Sequence, residues 1–201
     1  MREAIIVSTA RTPIGKAYRG TFNNTTAPTM GGWAVEEAVK RSGIDPEKVD
    51  DVIMGCAIQQ GTTHGNIARN VALTAGLPVT VSGMSIDRQC SSGMMAIATA
   101  AKQIIVDGME VVIGGGLESI SLAQTQKMNL DRYVDKNLVT KHKHIYMPML
   151  QTAEVVGKRY NVSRDAQDVY SLESQIRTAK AQVEGKFDQE IKDEKTELSA
   201  E

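Results

Sequence analysis

Short apolar runs recur along the first 119 residues and predict the strands of a sheet. Ala4–Val7 is apolar and β-branched and precedes turn-forming residues, so we expect a buried first strand there. Asp51–Gly55 predicts a second strand, and Val111–Ile113 predicts a later one. A further strand is expected between residues 79 and 86.

Helical periodicity fills the intervals between these runs. The segment around Trp33 has its apolar residues near one face, and Gly43 should end it because glycine favours helix C-termini. Asn66 is expected to cap a second helix. After Cys90, apolar spacing predicts a third helix that continues to Asp107. Strands that alternate with helices predict an α/β fold, with a parallel sheet covered by helices on both faces.

The alternation stops near residue 119. Between Ser121 and Pro148 there is little apolar periodicity, which predicts an extended excursion away from the sheet. Thr152–Tyr160 predicts a helix, and Ser163 is the expected cap of a longer one. We therefore expect two domains, 1–119 and 120–201.

The end of the chain, Asp188–Glu201, is rich in acidic residues and offers little to bury. It is interpreted as a surface strand or a frayed end.

Composition and charge narrow the class of protein. With 41% hydrophobic and 23% charged residues, the composition is that of an ordinary globular protein. Lys and Arg number 23 against 24 Asp and Glu, so the net charge gives no reason to expect a nucleic-acid or anionic-membrane partner. The apolar runs are too short to span a bilayer, and no signal-peptide hydrophobic region follows the first residues. We therefore expect a cytoplasmic protein.

Two cysteines are too few for a disulfide framework. Cys56 and Cys90 also lack metal-site spacing with His64, His142 and His144, so we expect no metal and surface positions for the histidines. Cys56 falls within a predicted strand, where a structural role is expected.

Cys90 has the setting of a reactive thiol. A predicted strand delivers it to the start of a helix, where unpaired N–H groups and the helix dipole favour a thiolate over a thiol. The same groups can accept charge that develops on a thioester carbonyl oxygen. Ser91, Ser92 and Gly93 are small enough for a substrate to approach the backbone. From this placement alone, a small buried hydrophobic residue is an equally good interpretation of Cys90.

Two other motifs have competing interpretations. Gly114–Gly116 hints at a phosphate cradle but lacks the required glycine spacing and a following Lys-Ser or Lys-Thr, so we predict a tight turn near the site. Arg11-Thr12-Pro13 is similar to an anion-binding turn, but we prefer a role in locking the exit of the first strand.

Four segments carry a resemblance to a known family. They read Ala-Arg-Thr-Pro-Ile-Gly-Lys at 10–16, Arg-Gln-Cys-Ser-Ser-Gly at 88–93, Gly-Gly-Gly-Leu-Glu-Ser at 114–119 and Thr-Ala-Glu at 152–154. In this order and spacing they resemble the N-terminal portion of a thiolase, over essentially the whole chain. The resemblance implies the thiolase fold, of which this chain would hold the first layered helix-sheet-helix half and part of a helical loop domain, without the C-terminal half.

The resemblance also implies a chemistry. In the family, the cysteine that matches Cys90 attacks an acyl-CoA thioester and passes the acyl group to a second acceptor. Coenzyme A and acyl-CoA are then substrates, and no separate cofactor is expected. The family takes its bases from a histidine and a second cysteine in motifs that resemble Gly-His-Pro and Cys-x-Gly, and neither motif occurs in these 201 residues.

Pro148-Met149-Leu150 departs from the family, since many members have His-Met-Gly there. The resemblance places Met149 in the acyl pocket, with core packing as the other interpretation. Lys141, Lys143 and the neighbouring His142 and His144 are candidates for a CoA phosphate contact, although a solvated charge run is the preferred interpretation.

Three functions follow from these observations. The first is an acetyl-CoA C-acyltransferase, either an acetoacetyl-CoA thiolase or a broader 3-ketoacyl-CoA thiolase, expected as a homodimer or homotetramer. The second is a non-catalytic fragment or subunit that needs another chain to complete the site. The third, a decarboxylating ketoacyl synthase, is disfavoured by the segments at 10–16 and 114–119.

Overall fold

The computed structural model describes residues 2–192. Seven α-helices are present in this part of the chain: α1 (Ala27–Ser42), α2 (Ile67–Thr74), α3 (Ser92–Lys102), α4 (Ile120–Ala123), α5 (Lys136–Lys141), α6 (Met149–Arg159) and α7 (Arg164–Val183). The strands are β1 (Asp51–Gly55), β2 (Ser82–Ile86) and β3 (Val112–Gly116). Short 3₁₀ turns occupy Pro46–Lys48 and Gly61–Thr63, and a π-helical turn, Gln103–Asp107, continues α3.

The described chain divides into two compact units. Unit 1 consists of residues 2–128 and 189–192 and contains the sheet, whereas unit 2 consists of residues 129–188 and contains α5 to α7. The division falls later in the chain than the predicted boundary at residue 119, and the assignment of functional domains stays a prediction. Across residues 2–192, no helix combines the length and apolar character needed to cross a membrane.

The sheet in unit 1 is parallel, with strand order β2-β1-β3. Gly55 at the end of β1 lies opposite Ile86 at the end of β2 and opposite Gly116 at the end of β3. Because the strands are parallel and in this register, all three carboxyl ends meet at one edge of the sheet.

The central strand, β1, is buried along its whole length and separates two parts of the core. Val52 and Met54 belong to the cluster that contains residues of α1 and α2, and Ile53 belongs to the cluster that contains α3 residues. Successive side chains of a strand point to opposite faces, so this division means that helices cover both faces. The predicted parallel sheet with helices on both faces is confirmed.

The caps predicted for three helices are confirmed. Gly43 ends α1 in the left-handed conformation, with a φ of 67°. The side chain of Asn66 accepts a hydrogen bond from the N–H of Arg69 at the start of α2. Ser163 caps α7 in the same way through the N–H of Ala166. These local signals set where the helices begin and end, as expected from their side-chain chemistry.

The predicted first strand, Ala4–Val7, is wrong. Ile5 and Ile6 are each 76% exposed and Val7 is 64% exposed, and within residues 2–192 no strand pairs with this segment. An apolar run becomes a strand only when another backbone supplies its hydrogen bonds, and here none of the described residues does so.

The assignment of Arg11-Thr12-Pro13 to the exit of that strand is therefore also wrong. Arg11 instead forms a parallel bridge with Ile191, in which its N–H donates to the Glu190 carbonyl at 2.8 Å. Its side-chain Nε lies 3.1 Å from Glu190 Oε2. Of the predicted tail at 188–201, residues 193–201 lie outside the described part.

Two further predictions need correction. Gly114–Gly116 forms the end of β3 instead of a tight turn, because these glycines pair with β1. The predicted extended excursion between Ser121 and Pro148 includes the short helix α5, whose start is capped by the Asp135 side chain. The predicted excursion also overlaps the short helix α4.

Unit 2 presents much of its apolar surface to solvent. Within α5, α6 and α7 none of the described residues is buried. The exposed apolar side chains of α7 include Val169, Leu172 and Ile176. Ion pairs one turn apart, such as Arg164 with Asp168, stabilise this helix locally by only a few tenths of a kcal/mol each.

The fully buried Ile53 provides a test of the core. We expect Ile53→Ala to lower the free energy of unfolding by about 2–5 kcal/mol, because it removes buried methyl groups and leaves a cavity between β1 and α3. Urea denaturation measures the change. The matched control is Ile14→Ala, at a side chain that is 99% exposed, for which a change within about 0.5 kcal/mol is expected. Equal effects of the two substitutions would contradict the assigned core.

Candidate active site

Cys90 lies in the turn between β2 and α3, at the edge where the three strands end. Its side chain is exposed, and in the described part of the chain the thiol forms no hydrogen bond. The predicted delivery of this cysteine from a strand to the start of a helix is confirmed. The alternative of a small buried hydrophobic residue is not what the structure shows. The catalytic role stays a prediction at this point.

The turn that presents Cys90, Asp87–Ser92, is closed by side chains at both of its ends. One carboxylate oxygen of Asp87 accepts the N–H of Gln89 at 2.7 Å. The hydroxyl of Ser92 accepts the N–H of Arg88 at 2.8 Å and donates to the Gln89 carbonyl at 2.6 Å. Ser92 is only 5% exposed, and these hydrogen bonds satisfy its buried hydroxyl group. These bonds hold the backbone on both sides of the cysteine.

Gln89, the residue directly before Cys90, has a positive φ of 50°. A non-glycine residue in this region is strained, and it persists only when surrounding contacts impose the conformation. Both its N–H and its carbonyl are held, by Asp87 and Ser92 respectively. The thiol of the next residue, Cys90, stands exposed at the start of α3.

Close packing places the start of α3 against the strand ends. A side chain at Gly55 would collide with the Ser92 carbonyl carbon, so only glycine fits there. A Cβ on Gly116 would lie 3.0 Å from the Cα of Gly93. The strand ends are glycines at these two positions because the start of α3 rests directly on the backbones of β1 and β3.

The first turn of α3 adds an electrostatic preference. The N–H groups of Gly93 and Met94 have no acceptor inside the helix, since the first turn lacks preceding carbonyls. No acidic residue occupies this first turn. Free donors and the positive end of the helix dipole favour negative charge next to Cys90. The arrangement can therefore stabilise a thiolate or the oxyanion of an acyl group attached to the sulfur.

Cys56 differs from Cys90 in burial and in its surroundings. It follows β1 directly instead of lying within the strand, and it is 1% exposed. Its sulfur lies 3.4 Å from Glu118 Oε1. Burial, with the Glu118 charge as a second cause, raises the pKa of the Cys56 thiol from 9.0 to about 12. The expected structural role fits these surroundings, because the protonated thiol is a hydrogen-bond donor and a poor nucleophile.

Met149, the other predicted site residue, belongs to unit 2. It is the first residue of α6 and is 73% exposed, so core packing does not explain it among the described residues. The preceding residue, Pro148, lines a shallow cavity of about 280 Å³. Lys143, His144 and Tyr146 also line this cavity.

All three histidines are exposed, in agreement with the predicted surface positions. Within residues 2–192, no group of three or more His, Cys, Asp or Glu side chains could hold a metal ion.

Sequence reasoning missed Asp87, Ser92 and Glu118 as residues that shape the site. The signals were present, since Asp87 and Ser92 flank the cysteine and Glu118 belongs to the Gly-Gly-Gly-Leu-Glu-Ser segment. Their roles depend on hydrogen bonds to backbone groups of the turn and of another strand end, which a sequence pattern does not specify.

Comparisons with known proteins agree with the geometry. The family model described as "Thiolase, N-terminal domain" matches residues 4–200. Curated relatives include the 3-ketoacyl-CoA thiolase of Bacillus subtilis, 42% identical over 95% of this chain and 48% of its own length. The acetyl-CoA acetyltransferase of Cupriavidus necator is 37% identical over 95% of this chain and 51% of its own length. The chain thus spans about half the length of the curated relatives it matches.

A solved structure shows the same architecture. The crystal structure of the Bacillus anthracis acetyl-CoA acetyltransferase matches 98% of this chain and 53% of its own chain, with a TM-score of 0.82 and 36% identity. The predicted α/β fold, of the thiolase type, is confirmed.

Ser92→Ala tests the closure of the turn. Loss of the buried hydroxyl leaves the Arg88 N–H without its acceptor, so we expect the free energy of unfolding to fall by about 1–3 kcal/mol in urea denaturation. Ser91→Ala is the matched control, because the Ser91 side chain forms no cap hydrogen bond, and a change within about 0.5 kcal/mol is expected. If the two substitutions were equally costly, the Ser92 hydroxyl would not be closing the turn.

The pKa of Cys56 predicts a pH dependence. Its raised value means that the folded chain binds this proton more tightly than the unfolded chain, so the associated stability is complete below pH 9 and declines as pH rises from 9 towards 12. We expect the urea midpoint to fall further between pH 8 and pH 10.5 in the wild type than in Cys56→Ala. Equal falls in both proteins would show that the Cys56 thiol is not perturbed in this way.

Proposed function

Because the chain belongs to the thiolase family, we propose that it is the N-terminal part of an acyl-CoA acyltransferase whose nucleophile is Cys90. One observation carries this proposal: the exposed thiol stands at the start of α3 on a turn held by Asp87 and Ser92. This geometry supports nucleophilic chemistry independently of the four sequence segments that resemble the family.

In the proposed condensation, the Cys90 thiolate attacks the carbonyl carbon of acetyl-CoA. The C–S bond to coenzyme A then breaks, and coenzyme A leaves as a thiol after taking a proton, so that an acetyl group remains on Cys90. The enolate carbon of a second acetyl-CoA attacks this thioester, and the Cys90 thiolate is released with acetoacetyl-CoA as product. Thiolysis of a 3-ketoacyl-CoA is the same sequence in reverse.

This chain supplies two parts of that chemistry. The donors of the first turn of α3, which include Gly93 and Met94, favour the charge that appears on sulfur and on the carbonyl oxygen. The small residues around the turn leave the thiol open to a bulky thioester. The bases that remove the thiol proton and the α-carbon proton are proposed to come from outside these 201 residues, because neither family motif that carries them occurs among them.

Substrate contacts are proposed for unit 2. The exposure of Met149 supports its role as an acyl contact, since an unpacked thioether is available to line an apolar pocket. Coenzyme A and acyl-CoA are the proposed ligands of the site, as substrates. Lys143 and His144, which line the neighbouring cavity, remain candidates for an anionic group of coenzyme A.

A homodimer or homotetramer is proposed as the assembled state. β2 leads to the nucleophile turn and is an edge strand, and none of the described strands pairs with its outer side. An unpaired edge can accept a strand from a second copy, which supports an interface next to the active-site turn. We also propose a cytoplasmic location and a role in fatty acid metabolism.

The second candidate function is a non-catalytic fragment or subunit that acts only with another chain. It is favoured by the match to about half the length of the relatives and by the two absent motifs.

Intact-mass spectrometry after mixing the purified chain with acetyl-CoA tests the proposal. We expect one acetyl group on Cys90, located by peptide mapping, because the exposed thiol alone has the required setting. Cys90→Ser should remove the adduct, and Cys56→Ser, at the buried cysteine, should leave it unchanged. An adduct that persists in Cys90→Ser would exclude this residue as the nucleophile. Absence of any adduct in the wild type would favour the second candidate.

A further inference from the structure

Outside the turn that carries Cys90, the carboxylate of Glu118 is bound by three donors from a neighbouring strand end. Its Oε2 accepts the N–H of Ala57 at 3.0 Å. Its Oε1 accepts the N–H of Ile58 at 3.2 Å and lies 3.4 Å from the Cys56 sulfur. Among the ion pairs of residues 2–192, none includes Glu118. Two backbone groups and a thiol therefore hold this charge, without a cationic partner.

These contacts join the segments that leave β1 and β3. Glu118 follows the end of β3 by two residues, and Cys56 to Ile58 follow the end of β1 directly. The Leu117 N–H also donates to the Gly55 carbonyl at 3.1 Å. The carboxylate thus extends the pairing of β1 and β3 beyond the last regular ladder position.

The same segment is bonded to the origin of the nucleophile turn. The Cys56 N–H donates to the carbonyl of Ile86 at 3.0 Å. Ile86 is the last residue of β2, and the turn that presents Cys90 begins at the next residue, Asp87. A continuous set of bonds therefore runs from Glu118 through Cys56 to the start of the turn.

The chemistry of the donors explains why a carboxylate is favoured at this exposed position. A charged acceptor forms stronger hydrogen bonds than a neutral one, and two consecutive N–H groups with a protonated thiol offer only donors. An amide in the same place would direct one NH₂ group at a backbone N–H. One donor would then be left unpaired.

We propose that Glu118 is a positioning residue for Cys90, which holds the segment after β1 so that the nucleophile turn keeps the thiol over the first turn of α3. The proposal rests on the proposed function of Cys90, but all the residues through which Glu118 positions the turn belong to unit 1. Glu118 does not touch the thiol of Cys90; it acts through Cys56 and Ile86.

The test is the pH profile of Cys90 alkylation by iodoacetamide in the purified chain, followed by peptide mapping. Glu118→Gln is expected to slow alkylation at pH 7 by roughly tenfold and to change the shape of the pH profile, because the displaced thiol no longer lies beside the free N–H donors of the first turn of α3. Cys56→Ala should also slow the alkylation of Cys90, by a smaller factor than Glu118→Gln does. Cys56→Ser should restore it, since a hydroxyl still donates to Glu118.

Asp50 provides a matched control at the other end of the strands, directly before β1 begins. One oxygen of its exposed carboxylate accepts the N–H groups of Glu110 and Val111 at 2.7 and 3.1 Å, so it also joins β1 to β3 through two consecutive backbone donors. Asp50→Asn should change stability as Glu118→Gln does, but should alter Cys90 alkylation by less than about twofold. Equal alkylation effects of the two variants, or an unchanged profile in folded Glu118→Gln, would overturn the proposal.

Circular dichroism shows whether each variant is folded. If Glu118→Gln does not fold, the comparison of Cys56→Ala with Cys56→Ser decides, and identical profiles for these two proteins would reject the proposal. Alkylation needs no acyl-CoA, so the outcome is separate from that of the acetylation experiment. A chain that is not acetylated but shows the Glu118 effect would retain the positioning role and lose the proposed function.

Discussion

The parallel pairing of β1 with a strand on each side is the constraint on which the site depends. β1 is buried along its length, so its register is set by Val52 and Met54 on one face and Ile53 on the other. A shift by one residue would move every one of these side chains to the wrong face. The same register brings Gly55, Ile86 and Gly116 to one edge, where loops from three strands meet.

That edge combines rigidity with an exposed thiol. The strain at Gln89 is offset by hydrogen bonds from residues on both sides of it, and the start of α3 packs directly on the backbone at Gly55. A nucleophile needs to be accessible and yet fixed in position. The structure separates these needs, since the side chain of Cys90 is free while its backbone neighbours are held.

The two cysteines illustrate how position decides chemistry for one residue type. Cys56 and Cys90 each follow a strand of the same sheet, at the same edge. Cys56 enters the core beside a carboxylate, which opposes its ionisation, whereas Cys90 extends outward beside unpaired N–H groups. The first is suited to hold a loop in place, and the second is suited to react.

The sequence by itself determined the elements whose signals are local. Gly43 marks the end of α1, and Asn66 and Ser163 mark the starts of α2 and α7, because capping depends on residues within one helical turn. The four family segments identified the family. Tertiary structure decided what depends on distant partners. Ala4–Val7 has strand composition but no partner among the described residues, Gly114–Gly116 became strand by pairing with β1, and Glu118 gained its role from the end of another strand. Hydrogen bonds between segments far apart in the chain, which no local pattern encodes, made that difference.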